Sequence, residues 1–219
     1  MRLLVDTADQ AAIQAALATG LVAGVTTNPT LLRRAGVPAA AVRELAGAAI
    51  GAGAREVHLQ VYAADAAGMI REGRELAVID PARIRVKLVA TPAGYRAAAA
   101  LAEEGVPVTL TGVYTLRQAL LADSVGARSI AIYLGRLQDA GEDPIVLADR
   151  MQRLLDAQAA RVEILAASIR DPDEVTELGL LGVASVTVTP AILDRLLDSE
   201  ATAAAAAAFG EDAAAIQGS

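Results

Sequence analysis

The chain has 219 residues, 54% of them hydrophobic and 2% aromatic, with a formal charge of −7, a length and apolar content that allow one substantial core. The acidic balance excludes long-range attraction to nucleic acid or an anionic membrane, and four Tyr, one Phe and no Trp exclude a base-stacking platform. With no cysteine there are no disulfides, thiolate nucleophiles or thiolate metal sites, and the lone His58 does not by itself build a histidine metal centre.

In chain order, "MRLLVDTADQ" comes first. Its three-residue apolar run before Asp6 is too short for a secretory signal, so a cytoplasmic location is expected. No apolar run approaches the ~20 residues of a spanning helix. Short runs rich in Val, Ile and Leu predict strands at 3–6, 23–27, 56–62, 84–90, 107–114, 129–135, 162–168 and 184–189. Ala/Leu-rich segments with helical periodicity lie between them, among them 93–105, 116–126 and 144–158. Thr91-Pro92, Asp143-Pro144, Asp171-Pro172 and Thr189-Pro190 each set an N-cap residue before a proline suited to the first helical turn. Strand then helix, eight times in some 200 residues, predicts an α/β protein: a single (β/α)8 TIM barrel, with a doubly wound open sheet as the main competitor. No linker or composition break divides residues 1–219, so one barrel domain is expected. The alanine-rich tail 201–219 adds a helix, with Phe209 as its one large side chain.

In a barrel, side chains at the C-terminal ends of the strands converge on one mouth. The segment "RIRVKLVATP" (83–92) carries the only lysine, against eighteen arginines. Alternation puts Ile84, Val86 and Leu88 toward the helices and Arg85, Lys87 and Val89 toward the barrel interior. An amine held there, desolvated and near the like charge of Arg85, is a nucleophile suited to a carbonyl carbon through a Schiff base. The bland alternative is a lysine that snorkels to the rim or pairs with a carboxylate such as Asp6. Other strand ends supply company. Gln60 ends the third strand, Thr111 lies on the fifth, Tyr133 ends the sixth and Ser168 closes the seventh. A tyrosine flanked by amide and hydroxyl partners can hold a water and move a proton. Arg136, in the loop after Tyr133, and Ser168 form a candidate phosphate seat.

With these residues in view, the chain resembles the transaldolase family, and within it the small fructose-6-phosphate aldolase-like branch. The resemblance rests on "LLVDTAD" (3–9), "AGVTTNPTLL" (23–32), "AAGMIREGREL" (66–76), "RVKL" (85–88), "GVYTLRQALLA" (112–122), "YLGRLQDAG" (133–141) and "ILAASIRDP" (164–172). It implies a class I aldolase with no cofactor and no metal. Such an enzyme cleaves or forms the C3–C4 bond of fructose 6-phosphate or a related ketose phosphate, with dihydroxyacetone as donor and glyceraldehyde 3-phosphate as aldehyde. Carried over by position, Lys87 forms the imine, Asp6 orients the intermediate, and Gln60, Thr111 and Tyr133 hold the catalytic water, with Tyr133 as acid/base. Thr27 and Asn28 contact the substrate, and Arg136 and Ser168, beside Ala167, receive its phosphate.

The transaldolase branch carries Glu at the third strand's end and Asn on the fifth, where this chain has Gln60 and Thr109, which favours a lyase over the alternative, a transaldolase passing the dihydroxyacetone unit to erythrose 4-phosphate. A non-catalytic sugar-phosphate-binding barrel is the alternative of another class. The chain departs from the family's pattern at Val89 and Ile132, where proline is usual, at Thr189 in the late "TVT", and at Arg85, usually apolar. Arg85 and the inward-facing His58 are expected to form a polar layer beneath Lys87. The resemblance further implies a homo-oligomer, a pentamer or decamer, with a C-terminal arm at 199–219 contacting the neighbouring subunit.

Overall fold

The strands are β1 (Arg2–Asp6), β2 (Gly24–Thr26), β3 (Glu56–Gln60), β4 (Ile84–Val89), β5 (Val108–Val113), β6 (Ser129–Tyr133), β7 (Glu163–Ala167) and β8 (Ser185–Val188). Each pairs in parallel with the next, and β8 returns to β1, so the sheet closes as an eight-stranded barrel. This is the (β/α)8 TIM barrel that the sequence predicts, and not an open sheet. The computed structural model describes residues 1–217; the last two residues of the expected C-terminal arm lie outside them.

The helices are α1 (Gln10–Ala18), α2 (Pro29–Arg34), α3 (Val42–Gly51), α4 (Ala66–Ala77), α5 (Pro92–Glu103), α6 (Leu116–Ser124), α7 (Leu134–Asp139), α8 (Pro144–Ala157), α9 (Pro172–Leu180), α10 (Pro190–Leu197) and α11 (Glu200–Gln217), with a 3-10 turn at Ala39–Ala41 before α3. All four cap-proline junctions start helices. The Asp143 carboxylate accepts from the N–H groups of Ile145 and Val146 at 2.9 and 3.2 Å, and Thr91 accepts from Gly94 at 3.1 Å. Each such cap satisfies N–H groups that have no partner within the helix and contributes ~1 kcal/mol. One element departs from expectation. The sixth strand stops at Tyr133, and residues read as strand end and loop, including Arg136, form the short helix α7.

Two shells make the core. Outside the barrel, Ile84, Val86 and Leu88 are fully buried against the helices, as alternation requires. The fit is close: a Cβ on Gly73 of α4 would lie 2.6 Å from Leu101 Cδ1 and 3.3 Å from Val86 Cγ1. Inside, the apolar contribution is small, a cluster of Leu4, Ala131 and Leu165 with Tyr133 packed above it. Most of the remaining inward positions are polar, and they divide into a C-terminal mouth around Lys87 and an N-terminal mouth around Arg85. Every described residue of α11 is exposed, Phe209 at 71%. Among the described residues no helix is long and apolar enough to cross a membrane.

Candidate active site

Lys87 sits near the C-terminal end of β4 and is only 3% exposed, so it does not reach the rim. Its Cα is in register with Gln60 of β3 on one side and Thr109 of β5 on the other. The amine donates to the Thr27 carbonyl at 3.2 Å and lies 5.9 Å from the centroid of the Tyr133 ring. Thr27 is in turn held by its own hydroxyl, which donates to the His58 carbonyl at 3.1 Å. Asp6, from β1, accepts the Thr26 hydroxyl at 2.6 Å. Thr26 spends its proton there, so Thr187, 2.7 Å away, is the donor to Thr26. Burial raises the Asp6 carboxyl above its ordinary range, against the pull of the Lys87 charge and the Thr26 hydrogen bond. The carboxylate is thus an electrostatic neighbour of Lys87, while the amine's hydrogen bond goes to Thr27.

Tyr133 closes β6 beside this amine, and its hydroxyl is 2.6 Å from that of Thr111. A bulge follows Thr111. The β5–β6 register shifts between Thr111 and Val113, and Gly112 has a φ of 72°, a left-handed conformation that suits glycine. Tyr114 stands edge-on to Tyr133, ring centroids 6.2 Å apart at 78°, and fixes the phenol's plane. Gln60 ends β3, half-buried, on the other side of Lys87. Asn28 opens α2, and its side-chain oxygen accepts from Leu31 N–H at 3.0 Å, which leaves the amide nitrogen as the group available to a ligand.

Across the mouth, β6 and β7 end against each other. The Gly135 N–H donates to the Ser168 carbonyl at 3.0 Å, one residue past Ala167. Ser168 has a φ of 61°, and a Cβ on Gly135 would lie 2.6 Å from Arg170 Nε and 2.7 Å from Ser168 Oγ. Only a glycine lets the two strand ends approach this closely. Arg136 follows in the first turn of α7, exposed, and with Tyr114 it lines a cavity of about 350 Å³. The loop is braced from behind. Glu174 accepts from the backbone N–H of Arg170 at 2.8 Å and from Gln138, and Arg170 forks onto Asp139 at 2.7 and 2.8 Å. Tyr114 and Glu174 escape the sequence reading. Tyr114 lies on the β5–α6 connection, and Glu174 announces itself only as the third position of a capping box after Asp171.

The polar layer expected beneath Lys87 is present and larger than Arg85 and His58 alone. His58 is 3% exposed, with Nδ1 3.0 Å from the Thr109 hydroxyl, and Glu56, Arg2 and Glu163 join the layer from β3, β1 and β7.

Residues 3–218 match the family model described as transaldolase/fructose-6-phosphate aldolase. A protein of Geobacillus kaustophilus named "probable transaldolase" is 38% identical over 203 residues, covering 92% of this chain and 93% of that one. One of Rhodospirillum centenum with the same name is 40% identical over 198 residues, covering 90% and 84%. Among solved structures, a flavocytochrome b2 with sulfite bound matches with a TM-score of 0.63 at 13% identity, covering 86% of this chain and 56% of that one. A mandelate oxidase matches at 0.60 and 16%, covering 86% and 64%. The chain thus spans less than two thirds of either of these chains, and at such identities the likeness is one of barrel architecture alone.

Proposed function

The chain belongs to the transaldolase/fructose-6-phosphate aldolase family, and from that premise we propose that it is a class I aldolase acting on fructose 6-phosphate or a related ketose phosphate, with dihydroxyacetone as donor and glyceraldehyde 3-phosphate as aldehyde. One observation carries this reading: the chain's only lysine is enclosed in the barrel, with the Tyr133–Thr111 hydroxyl pair beside it.

As a free amine, Lys87 adds to the ketose carbonyl carbon. The carbonyl oxygen gains protons and departs as water, leaving a protonated imine. Loss of the proton from the next hydroxyl beyond the C3–C4 bond lets that oxygen become a carbonyl as the bond breaks. The bonding pair moves into the imine to give an enamine, and the aldehyde leaves. The enamine carbon then takes a proton, and water hydrolyses the imine to return the amine and free dihydroxyacetone. Tyr133 is the proton carrier for these steps, oriented by Thr111 and Tyr114, and Gln60 positions the water. Asp6 offsets the imine's positive charge, the Thr27 carbonyl aims the amine, and Asn28 binds substrate hydroxyls. Arg136 and Ser168, beside Ala167, seat the phosphate, a planar guanidinium being suited to paired phosphate oxygens.

A second reading, transfer of the dihydroxyacetone unit to erythrose 4-phosphate, draws on the names of the two relatives. Gln60 favours release. An acceptor is captured by the enamine, and a neutral amide, unlike a carboxylate, offers no base to return the protonated imine to that enamine before water hydrolyses it. The proposal extends to a cytoplasmic homo-oligomer, pentamer or decamer, in which the arm 199–219 lays α11 and Phe209 on a second copy of the chain.

The test is borohydride reduction in the presence of dihydroxyacetone or fructose 6-phosphate, followed by mass spectrometry. A reduced adduct on Lys87, absent in Lys87→Met, is expected, together with free dihydroxyacetone outrunning sedoheptulose 7-phosphate when erythrose 4-phosphate is supplied. Ligand binding with neither adduct nor turnover would instead mean a binding barrel.

A further inference from the structure

The N-terminal mouth of the barrel holds a second cavity, of about 230 Å³, that the chemistry at Lys87 does not use. Arg2, Arg55, Arg85 and Arg128 converge on it, together with Glu56 and Glu163. Arg85, on its wall, precedes Lys87 by two residues on β4, so the cavity begins ~7 Å beneath the catalytic residue and opens at the opposite end of the barrel.

The arginines are only partly neutralised. Arg2 donates to Glu56 at 3.0 Å and to Glu163 at 2.7 Å, and Arg128 reaches Glu163 at 2.8 Å. Arg85 comes no nearer to Glu56 than 3.8 Å and turns its Nη1 to the carbonyls of Ala82 and Ile84 at 2.9 and 3.2 Å. Arg55 is exposed and forms no side-chain hydrogen bond or ion pair among the described residues. Four guanidiniums against two carboxylates leave an excess of two positive charges around one cavity.

His58 supplies an independent observation. Its Nδ1 is engaged by the Thr109 hydroxyl at 3.0 Å, and Thr109 in turn meets the Ser129 hydroxyl at 2.8 Å. A chain in which Ser129 donates to Thr109 and Thr109 to Nδ1 leaves the ring proton on Nε2. That nitrogen is buried and has no hydrogen-bond partner; Glu56, on the cavity wall, is 3.4 Å away but outside hydrogen-bonding geometry. A buried donor left unpaired beside a positively charged cavity is what a missing acceptor leaves behind.

We propose that the N-terminal cavity binds a small dianionic oxyanion of the phosphate type, gripped by Arg85, Arg55 and Arg128 and accepting a hydrogen bond from His58 Nε2. A dianion matches the charge excess, guanidinium forks match paired oxyanion edges, and the volume admits the ion with a few waters. Neither Lys87 nor imine formation enters the proposal, so it stands or falls apart from the proposed activity.

His58 is the only histidine, so a histidine-labelled protein reports on this cavity through one imidazole signal. Titrate the full chain with inorganic phosphate at mildly alkaline pH, against chloride at matched ionic strength. A saturable His58 shift is expected, retained in Arg136→Ala, where the catalytic mouth is impaired, and weakened about tenfold or more in Arg85→Leu and Arg55→Ala by loss of a charge-assisted contact. Arg55 is exposed, so its variant keeps the test independent of any folding defect in Arg85→Leu. A shift no larger than the chloride control, or one lost in Arg136→Ala yet unchanged in Arg55→Ala and Arg85→Leu, would overturn the proposal.

Discussion

The Tyr133 hydroxyl lies 2.6 Å from the Thr111 hydroxyl, a short O–H···O contact in which one group must donate and the other accept. When Thr111 donates, the phenol proton is free for a reacting atom at the mouth. Tyr133→Phe removes that proton while keeping the ring that covers the Lys87 amine. Turnover of fructose 6-phosphate should fall by about 10²–10⁴-fold, the usual contribution of a positioned acid/base, while borohydride still traps an adduct on Lys87. Near-normal turnover in this variant would remove Tyr133 from the mechanism.

Gly135→Ala addresses the proposed phosphate seat. The added methyl would lie 2.6 Å from Arg170 Nε and 2.7 Å from Ser168 Oγ, so the β7–α9 loop must shift. The cost is ~1–3 kcal/mol of stability, as for other overpacked sites. KM for the phosphorylated aldehyde should rise, while trapping of unphosphorylated dihydroxyacetone on Lys87 stays unchanged. A rise in KM that is equal for phosphorylated and unphosphorylated aldehydes would separate this loop from phosphate recognition.

How far these features can be read in the sequence depends on how local their causes are. The eight strands are legible because a parallel strand covered by helices reads as a short apolar run, and Thr-Pro or Asp-Pro caps mark where each following helix begins. The inward aim of Lys87 follows from alternation alone. Helix α7 is not legible. It has six residues, starts directly from the strand, and its N-cap, Tyr133, makes no side-chain capping bond. The bulge at Gly112 leaves only a small trace, Thr111 and Gly112 side by side where the alternation of "VTLTGV" breaks, and a glycine within a strand marks a bulge without saying how the neighbouring strand's register shifts. The Arg2–Glu56 and Arg2–Glu163 pairs join positions 54 and 161 residues apart, so only closure of the barrel brings them together. Arg85 and His58 can be placed on one face by alternation, but the cavity they line cannot.

The same layer makes a pH prediction. Burial lowers the His58 pKa below its ordinary 6.5; Glu56 opposes that shift, and the Lys87 and Arg85 charges add to it. The folded protein therefore binds this proton less readily than the unfolded chain. The stability associated with a neutral His58 is fully present above about 6.5 and is lost as pH falls through the folded value. Glu56 adds a lower window. Burial alone would raise its carboxyl, but the His58 ring and the Arg2 guanidinium outweigh burial and hold it at about 2, so its contribution is lost between 4.5 and about 2. Asp6, raised by burial, works in the opposite sense and gains stability as acid protonates it. Urea unfolding at pH 8, 6 and 5 should show wild type losing more stability on acidification than His58→Gln, with a difference in slope no steeper than about 1.4 kcal/mol per pH unit, the limit for one proton. Parallel curves for the two proteins would show that His58 takes its proton equally well folded and unfolded.

Gln60 bears on the choice between release and transfer. Its Cα is in register with Lys87 across the β3–β4 pair, so its half-buried side chain borders the space an imine on Lys87 would occupy. The enamine is the species that captures an incoming aldehyde, and its protonation to the imine exposes the three-carbon unit to release by water. An amide orients water without acting as a base. A carboxylate in the same place can take the proton back from the carbon beside the protonated imine and so return it to the enamine. Gln60→Glu should therefore raise the ratio of sedoheptulose 7-phosphate formed to dihydroxyacetone released, with fructose 6-phosphate and erythrose 4-phosphate supplied together. A change of about 1 kcal/mol in the difference between the two barriers corresponds to a change of about fivefold. Gln60→Leu, which neither orients water nor adds charge, should lower overall turnover without raising that ratio. An unchanged or lower ratio in Gln60→Glu would mean that partitioning is set by acceptor binding at the phosphate seat and not by a base beside Lys87.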